Sequence, residues 1–161
     1  AINASNGLST VTSGTAALAF INQAANGNFA VFNFNLSTVL DPVQITFAAQ
    51  RTSTGFTSQT WEWSTDGTNY NLIGAIVGGT TAGTLQSSFA NTGILTLPQF
   101  SGLSGAADAH VRVTFDGASA STGNNRMDNI QFNAVPEPST YAMLALAGAG
   151  FAGYVIRRRR R

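Results

Sequence analysis

The chain is 161 residues long with 9% charged residues and contains neither cysteine nor lysine, where ordinary soluble domains carry roughly 25% charged residues. The absence of cysteine excludes a disulfide framework and thiol catalysis. Five of the eight basic residues are Arg157 to Arg161, which leaves three arginines against seven acids upstream, a net charge of −4. That balance excludes the cationic footprint on which nucleic-acid binding depends, and no nucleic-acid partner is expected. Residues 1–134 form the expected body, long enough to bury a core without metals or crosslinks. Ser, Thr, Asn and Gly fill the surface that charges usually occupy, a composition suited to exported proteins that meet polysaccharide. Ala1-Ile2-Asn3-Ala4 has neither a basic n-region nor an apolar h-region. A start at Ala1 fits a chain whose secretory signal is already removed and equally one begun at an arbitrary point.

Thr15 to Ala25, "TAALAFINQAA", is compatible with a short helix or a buried strand. Period-two runs dominate from there on. "FAVFNFNL" (Phe29 to Leu36) sets Phe32, Phe34 and Leu36 on one face and Asn33 and Asn35 on the other. After the Asp41-Pro42 turn, "VQITFAAQRT" alternates Val43, Ile45, Phe47 and Ala49 against Gln44, Thr46, Ala48 and Gln50. "SQTWEWSTDGTNYNLIG" reads as a strand, a tight turn at Asp66-Gly67 and a returning strand with Tyr70 and Leu72. Weaker strands are expected at Thr84 to Phe89 and Gly93 to Leu97. "AHVRVTFDG" turns Val111, Val113 and Phe115 inward and His110, Arg112 and Thr114 outward, and "RMDNIQFN" supplies the last strand. Short strands separated by turn signals, without βαβ alternation, predict an all-β antiparallel sandwich or jelly roll followed by a single C-terminal hydrophobic helix.

The tail follows different rules. Residues 140–156 carry no charge, and as a helix they would reach roughly 26 Å, at the short end of a transmembrane span. Arg157, Arg158, Arg159, Arg160 and Arg161 would hold the C-terminus on the cytoplasmic side by the positive-inside rule. In residues 135–139, Pro136 and Pro138 flank Glu137 and keep the last strand from running into that helix. "VPEPSTYAMLALAGAGFAGYVIRRRRR" resembles the PEP-CTERM sorting signal throughout Val135 to Arg161. The resemblance implies export in a Gram-negative bacterium, transient anchoring in the inner membrane, and recognition of Pro136, Glu137 and Pro138 by exosortase, a membrane cysteine protease. It further implies display at the cell surface and an organism that makes exopolysaccharide, which makes extracellular polysaccharide an expected partner.

Little in the body suggests catalysis. There is one histidine, and no Gly-x-Ser-x-Gly elbow of the kind that activates a serine. His110 reads as a surface histidine beside Arg112, and Asp108, Asp116 and Glu62 are scattered; the chain is expected not to be an enzyme. Asp128 shares strand parity with Ile130 and Phe132, so its carboxylate is expected to face the core, where it needs a cation or hydrogen bonds. Structural calcium is one answer, and pairing with Arg126 plus backbone amides of the Asn124-Asn125 turn is the other. The closing "RMDNIQF" is similar to the last strand of jelly-roll carbohydrate-binding and MAM-like domains. That similarity implies a nearby calcium, with Asn6, Asp41 and Asp116 as conceivable co-ligands by analogy. In "TWEWSTDGTNY", Trp61, Trp63 and Tyr70 are candidate glycan contacts if their rings are exposed, and core residues if they are not. Strand edges without lysine also leave self-association open.

Three readings of function follow from these residues: a non-enzymatic matrix or biofilm component associated with exopolysaccharide, a calcium-stabilised carbohydrate-binding module, and, behind both, a glycan hydrolase.

Overall fold

The computed structural model describes residues 17–37, 41–81, 83–134 and 146. The strands are β1 (Leu18–Ile21), β2 (Phe29–Phe34), β3 (Val43–Arg51), β4 (Ser58–Ser64), β5 (Asn71–Val77), β6 (Ile94–Thr96), β7 (Ala109–Asp116) and β8 (Asn124–Ala134), with one short helix, α1 (Phe89–Thr92), between β5 and β6. The ambiguous N-terminal stretch resolves into strand β1 and a single 3-10 turn at Gln23–Ala25, where the Asn22 side chain accepts from the Ala24 amide. Within the weak strand expected at Thr84 to Phe89, only Leu85 makes a bridge, parallel, to Gly78, and the chain then turns into α1.

Two antiparallel four-stranded sheets result, ordered β1-β8-β3-β6 and β2-β7-β4-β5. The pairs β1/β8, β2/β7, β3/β6 and β4/β5 amount to one long hairpin wound upon itself. That winding is the jelly-roll arrangement, so the all-β expectation holds in both class and architecture.

The alternation read from sequence builds the core. Val43, Ile45, Phe47 and Ala49 of β3 meet Ala109, Val111, Val113 and Phe115 of β7, and all are buried. Trp61 lies between the sheets with Phe47 at 4.8 Å and Phe32 at 6.4 Å between ring centroids. Phe20 stacks on Phe115 at 3.8 Å, and Phe34 meets Phe132 at 4.0 Å. Aromatic pairs in these separations add favourable quadrupole contacts to the area they bury.

One departure from strict alternation matters. Along β8 the partner of β3 jumps from Gln131 opposite Thr46 to Asp128 opposite Ala48. Asn129, at φ 52, is the extra residue of this β-bulge. A bulge inverts the side-chain parity on its far side. Met127 therefore faces the core with Ala49, while Ile130 and Phe132 face it beyond the bulge. Asp128 falls on the outer face with the exposed Arg126, not with Ile130 and Phe132 as strict period-two counting expects.

The connections β1–β2, β3–β4, β5–β6 and β7–β8 gather at one end of the sandwich, where Asn22 donates to the Gly123 carbonyl, Ser119 to that of Thr54 and Gly78 to that of Thr57. Val43 pairs with Ala134 at the opposite end. The sorting segment at 135–139, the apolar segment at 140–156 apart from Leu146, and the arginine cluster lie outside the described residues. Among the described residues no helix is long and apolar enough to cross a membrane.

Candidate functional site

Trp61 and Trp63, expected with Tyr70 as a possible sugar platform, share the inward face of β4, whereas Tyr70 lies on the other side of the sheet. Trp61 pairs with Val113 and is fully buried, its indole N–H donating to Gln59 Oε1 at 3.4 Å. A ring with no exposed face cannot stack on a sugar, so Trp61 is a core residue. Trp63 is half-buried and points the same way. Its ring stacks on Phe100 at 6.2 Å, and Gly102, at φ 116, lies so close that a Cβ there would strike the indole. Phe100 thus stacks on the ring and Gly102 closes off its outer edge.

Tyr70 ends on the outer face of the β2-β7-β4-β5 sheet. The Arg112 guanidinium lies 3.8 Å from its ring centroid and 5.4 Å from that of Phe29. Cations over aromatic faces are attracted by the ring quadrupole. Arg112 also donates to Glu62 Oε2 through Nε at 2.9 Å and Nη2 at 2.8 Å, with about a quarter of its side chain exposed. Cross-strand pairing of β4 with β7 sets Glu62 opposite Arg112, and this two-residue contact becomes a four-residue cluster with Phe29 from β2 and Tyr70 from the β4–β5 turn. The exposed Val31, Leu72 and Val77 complete this face.

His110 stands next along the same face. Its Nδ1 lies 2.9 Å from Asn33 Oδ1 and its Nε2 3.4 Å from Asp108 Oδ2. Ser64 pairs with His110 in the ladder, yet its hydroxyl is turned away: it donates to Asp66 Oδ1 at 2.8 Å and accepts the Asp66 and Gly67 amides. Serine and histidine are neighbours without the hydrogen bond on which nucleophile activation depends. Asp66 in turn accepts from the Thr68 and Asn69 amides and the Asn69 side chain. Those bonds, led by the Asn69 side chain, hold its carboxyl far below its ordinary 3.8.

The carboxylates considered for calcium do not converge. Asp128 Oδ1 accepts from the Asn129 amide at 2.8 Å, Asp41 Oδ2 from the Gly102 amide at 2.8 Å, and Asp116 Oδ1 from the Gly117 amide at 2.7 Å. Asn6 lies outside the described residues. The bulge removes the premise of an inward Asp128, and among the described residues no three His, Cys, Asp or Glu side chains are close enough to share a metal.

Sequence reading passed over Arg51, the last residue of β3. It lines a cleft of about 250 Å³ with Thr52, Ser53, Gly79, Thr80, Gln86 and Ser87. Those residues come from two separate connections, so no motif announced them.

Residues 134–161 match the family model for the PEP-CTERM protein-sorting motif. No curated protein and no solved structure matches the chain. The body is thus an all-β sandwich, and the chain carries a PEP-CTERM sorting signal at its end. The motif supports an exported protein that exosortase processes, sorted in association with the membrane and then displayed at the surface.

Proposed function

We propose that this protein is a non-enzymatic component of the extracellular matrix or biofilm of a Gram-negative bacterium, delivered through the inner membrane by exosortase and associated at the cell surface with exopolysaccharide. The observation that carries the reading is the position of the sorting motif: it begins at residue 134, where β8, the closing strand of the jelly roll, ends. The body is thereby presented as a finished module on a processing signal. Pro136, Glu137 and Pro138 act as the recognition segment for exosortase and the five terminal arginines as its cytoplasmic stop.

A structural role is supported by how the polar groups of the body are used. Arg112 is taken up by Glu62 and two aromatic rings, His110 by Asn33 and Asp108, and the Ser64 hydroxyl by the Asp66 turn. Each of these groups holds strands or turns together. The low charge and hydroxyl-rich surface suit contact with hydrated polysaccharide. Edge strand β5 carries neither charge nor proline and exposes Leu72 and Val77, which favours self-association by strand pairing within such a matrix.

Fractionation of cells that express the chain with Pro136, Glu137 and Pro138 all replaced by alanine tests the reading. The expected result is retention in the inner-membrane fraction and loss from the matrix that sediments with polysaccharide. Unchanged recovery in the matrix would overturn it.

A further inference from the structure

The Arg51 cleft is built as a receptor for a negatively charged group. Its guanidinium is fixed by carbonyls on both sides: Nε donates to Leu85 O at 3.3 Å, and Nη1 to Thr52 O at 3.3 Å and Ser53 O at 3.2 Å. The backbone is pinned at the same point, the Arg51 amide donating to Gln86 O at 2.8 Å. Gly78 packs against the planar group, where a Cβ would stand 2.9 Å from Nε. Among the described residues no carboxylate pairs with Arg51, and Nη2 has no acceptor. A half-buried guanidinium held only by neutral carbonyls keeps its full charge and a preset orientation.

The walls offer hydroxyls and an amide between stretches of apolar surface. Gln86 spends its Nε2 on Thr81 O and Asn91 O, which leaves its carbonyl oxygen as an acceptor, and the exposed Ser87 and Thr80 offer hydroxyls. Ligand pockets for larger molecules usually run from about 300 to 1,000 Å³, so 250 Å³ suits one sugar ring.

We infer that this cleft binds a carboxylated sugar residue, a hexuronate unit of an anionic polysaccharide, with its carboxylate on Arg51 and its ring hydroxyls on Gln86, Ser87 and Thr80. Guanidinium–carboxylate pairing is both charge-assisted and directional. The acidic body as a whole repels a polyanion, so attraction is local to this end of the molecule. That end is also the accessible one. Arg51 pairs with Asn125, while Ala134, where the sorting motif begins, pairs with Val43, which separates cleft and tail by roughly 25 Å of strand. A body held at its C-terminus therefore turns the cleft outward. The inference rests on the polysaccharide association proposed above and names its chemistry.

Titration calorimetry of the full chain with oligogalacturonate, beside a neutral galactan oligomer of equal length, tests it. The expected result is binding of the uronate oligomer alone, weakened by added salt. Arg51→Gln should lose at least about tenfold in affinity, whereas Arg161→Gln, which removes the same charge from the tail, should leave it unchanged. Because Arg51 also ties loops together, Ser87→Glu provides a second variant: it places a competing carboxylate in the cleft at an exposed position and should abolish binding without moving the thermal midpoint. Equal binding of both oligomers, no binding of either, or an Arg51→Gln affinity equal to that of the unaltered chain would overturn the inference. Continued co-sedimentation with native exopolysaccharide in those cases would confine the failure to the cleft, and its loss would extend the failure to the matrix reading.

Discussion

Trp61 and Trp63 differ by two positions and share a face, yet only the first is a pillar of the core. Trp61 fills the space between Phe47 and Phe32 and is fully buried. Trp61→Ala should lower the unfolding free energy by about 3–5 kcal/mol in denaturant titration, through lost burial and the cavity left behind. Such a loss is a large share of the ~5–15 kcal/mol that holds a typical domain together. Asp66 works at the same scale by hydrogen bonds. Its carboxyl is held below the ordinary 3.8, so the charged form is the one the folded turn prefers. Its stabilising contribution is complete above that ordinary value and fades as pH falls below it toward the folded value. NMR titration should therefore show Asp66 ionising well below pH 3.8, and Asn69→Ala should move its midpoint upward, since the Asn69 side chain is the largest cause of the shift.

At the scale of elements, β8 shows why alternation alone misplaced one candidate. The faces of β3 and β7 were legible because each strand keeps period two throughout its inward run, from Val43 to Phe47 and from Ala109 to Phe115. In β8 a single residue at positive φ shifts the count, and asparagine is among the few side chains that adopt that conformation readily. Nothing in "RMDNIQF" separates a bulge from a continuous strand. The Asp66-Gly67 turn was legible because its residues carry their own geometry, Gly67 at φ 68. The Arg51 cleft was not, because it depends on which loops the winding brings together. Asn129→Gly should fold with stability equal to or above that of the unaltered chain, as it keeps the backbone conformation and removes a buried side-chain amide. Asn129→Val should destabilise by roughly 1–3 kcal/mol in thermal or denaturant melts.

The whole molecule has two functional ends. The jelly roll closes with β8, so the chain leaves the body at the end opposite the four gathered connections. One end carries the sorting signal, and the other carries the guanidinium cleft. The charge distribution repeats that division: the tail concentrates arginine, while the body upstream is acidic and has no lysine. Both features suit the proposed role of a module delivered by its C-terminus and acting at its far end. The most direct test of that account is the intact mass of the protein recovered from the native cell surface. The account predicts a mass that lacks everything beyond the Pro136-Glu137-Pro138 region, with any added mass at the new C-terminus identifying the attachment. A surface protein that still ends in Arg161 would contradict it and make the tail a permanent anchor.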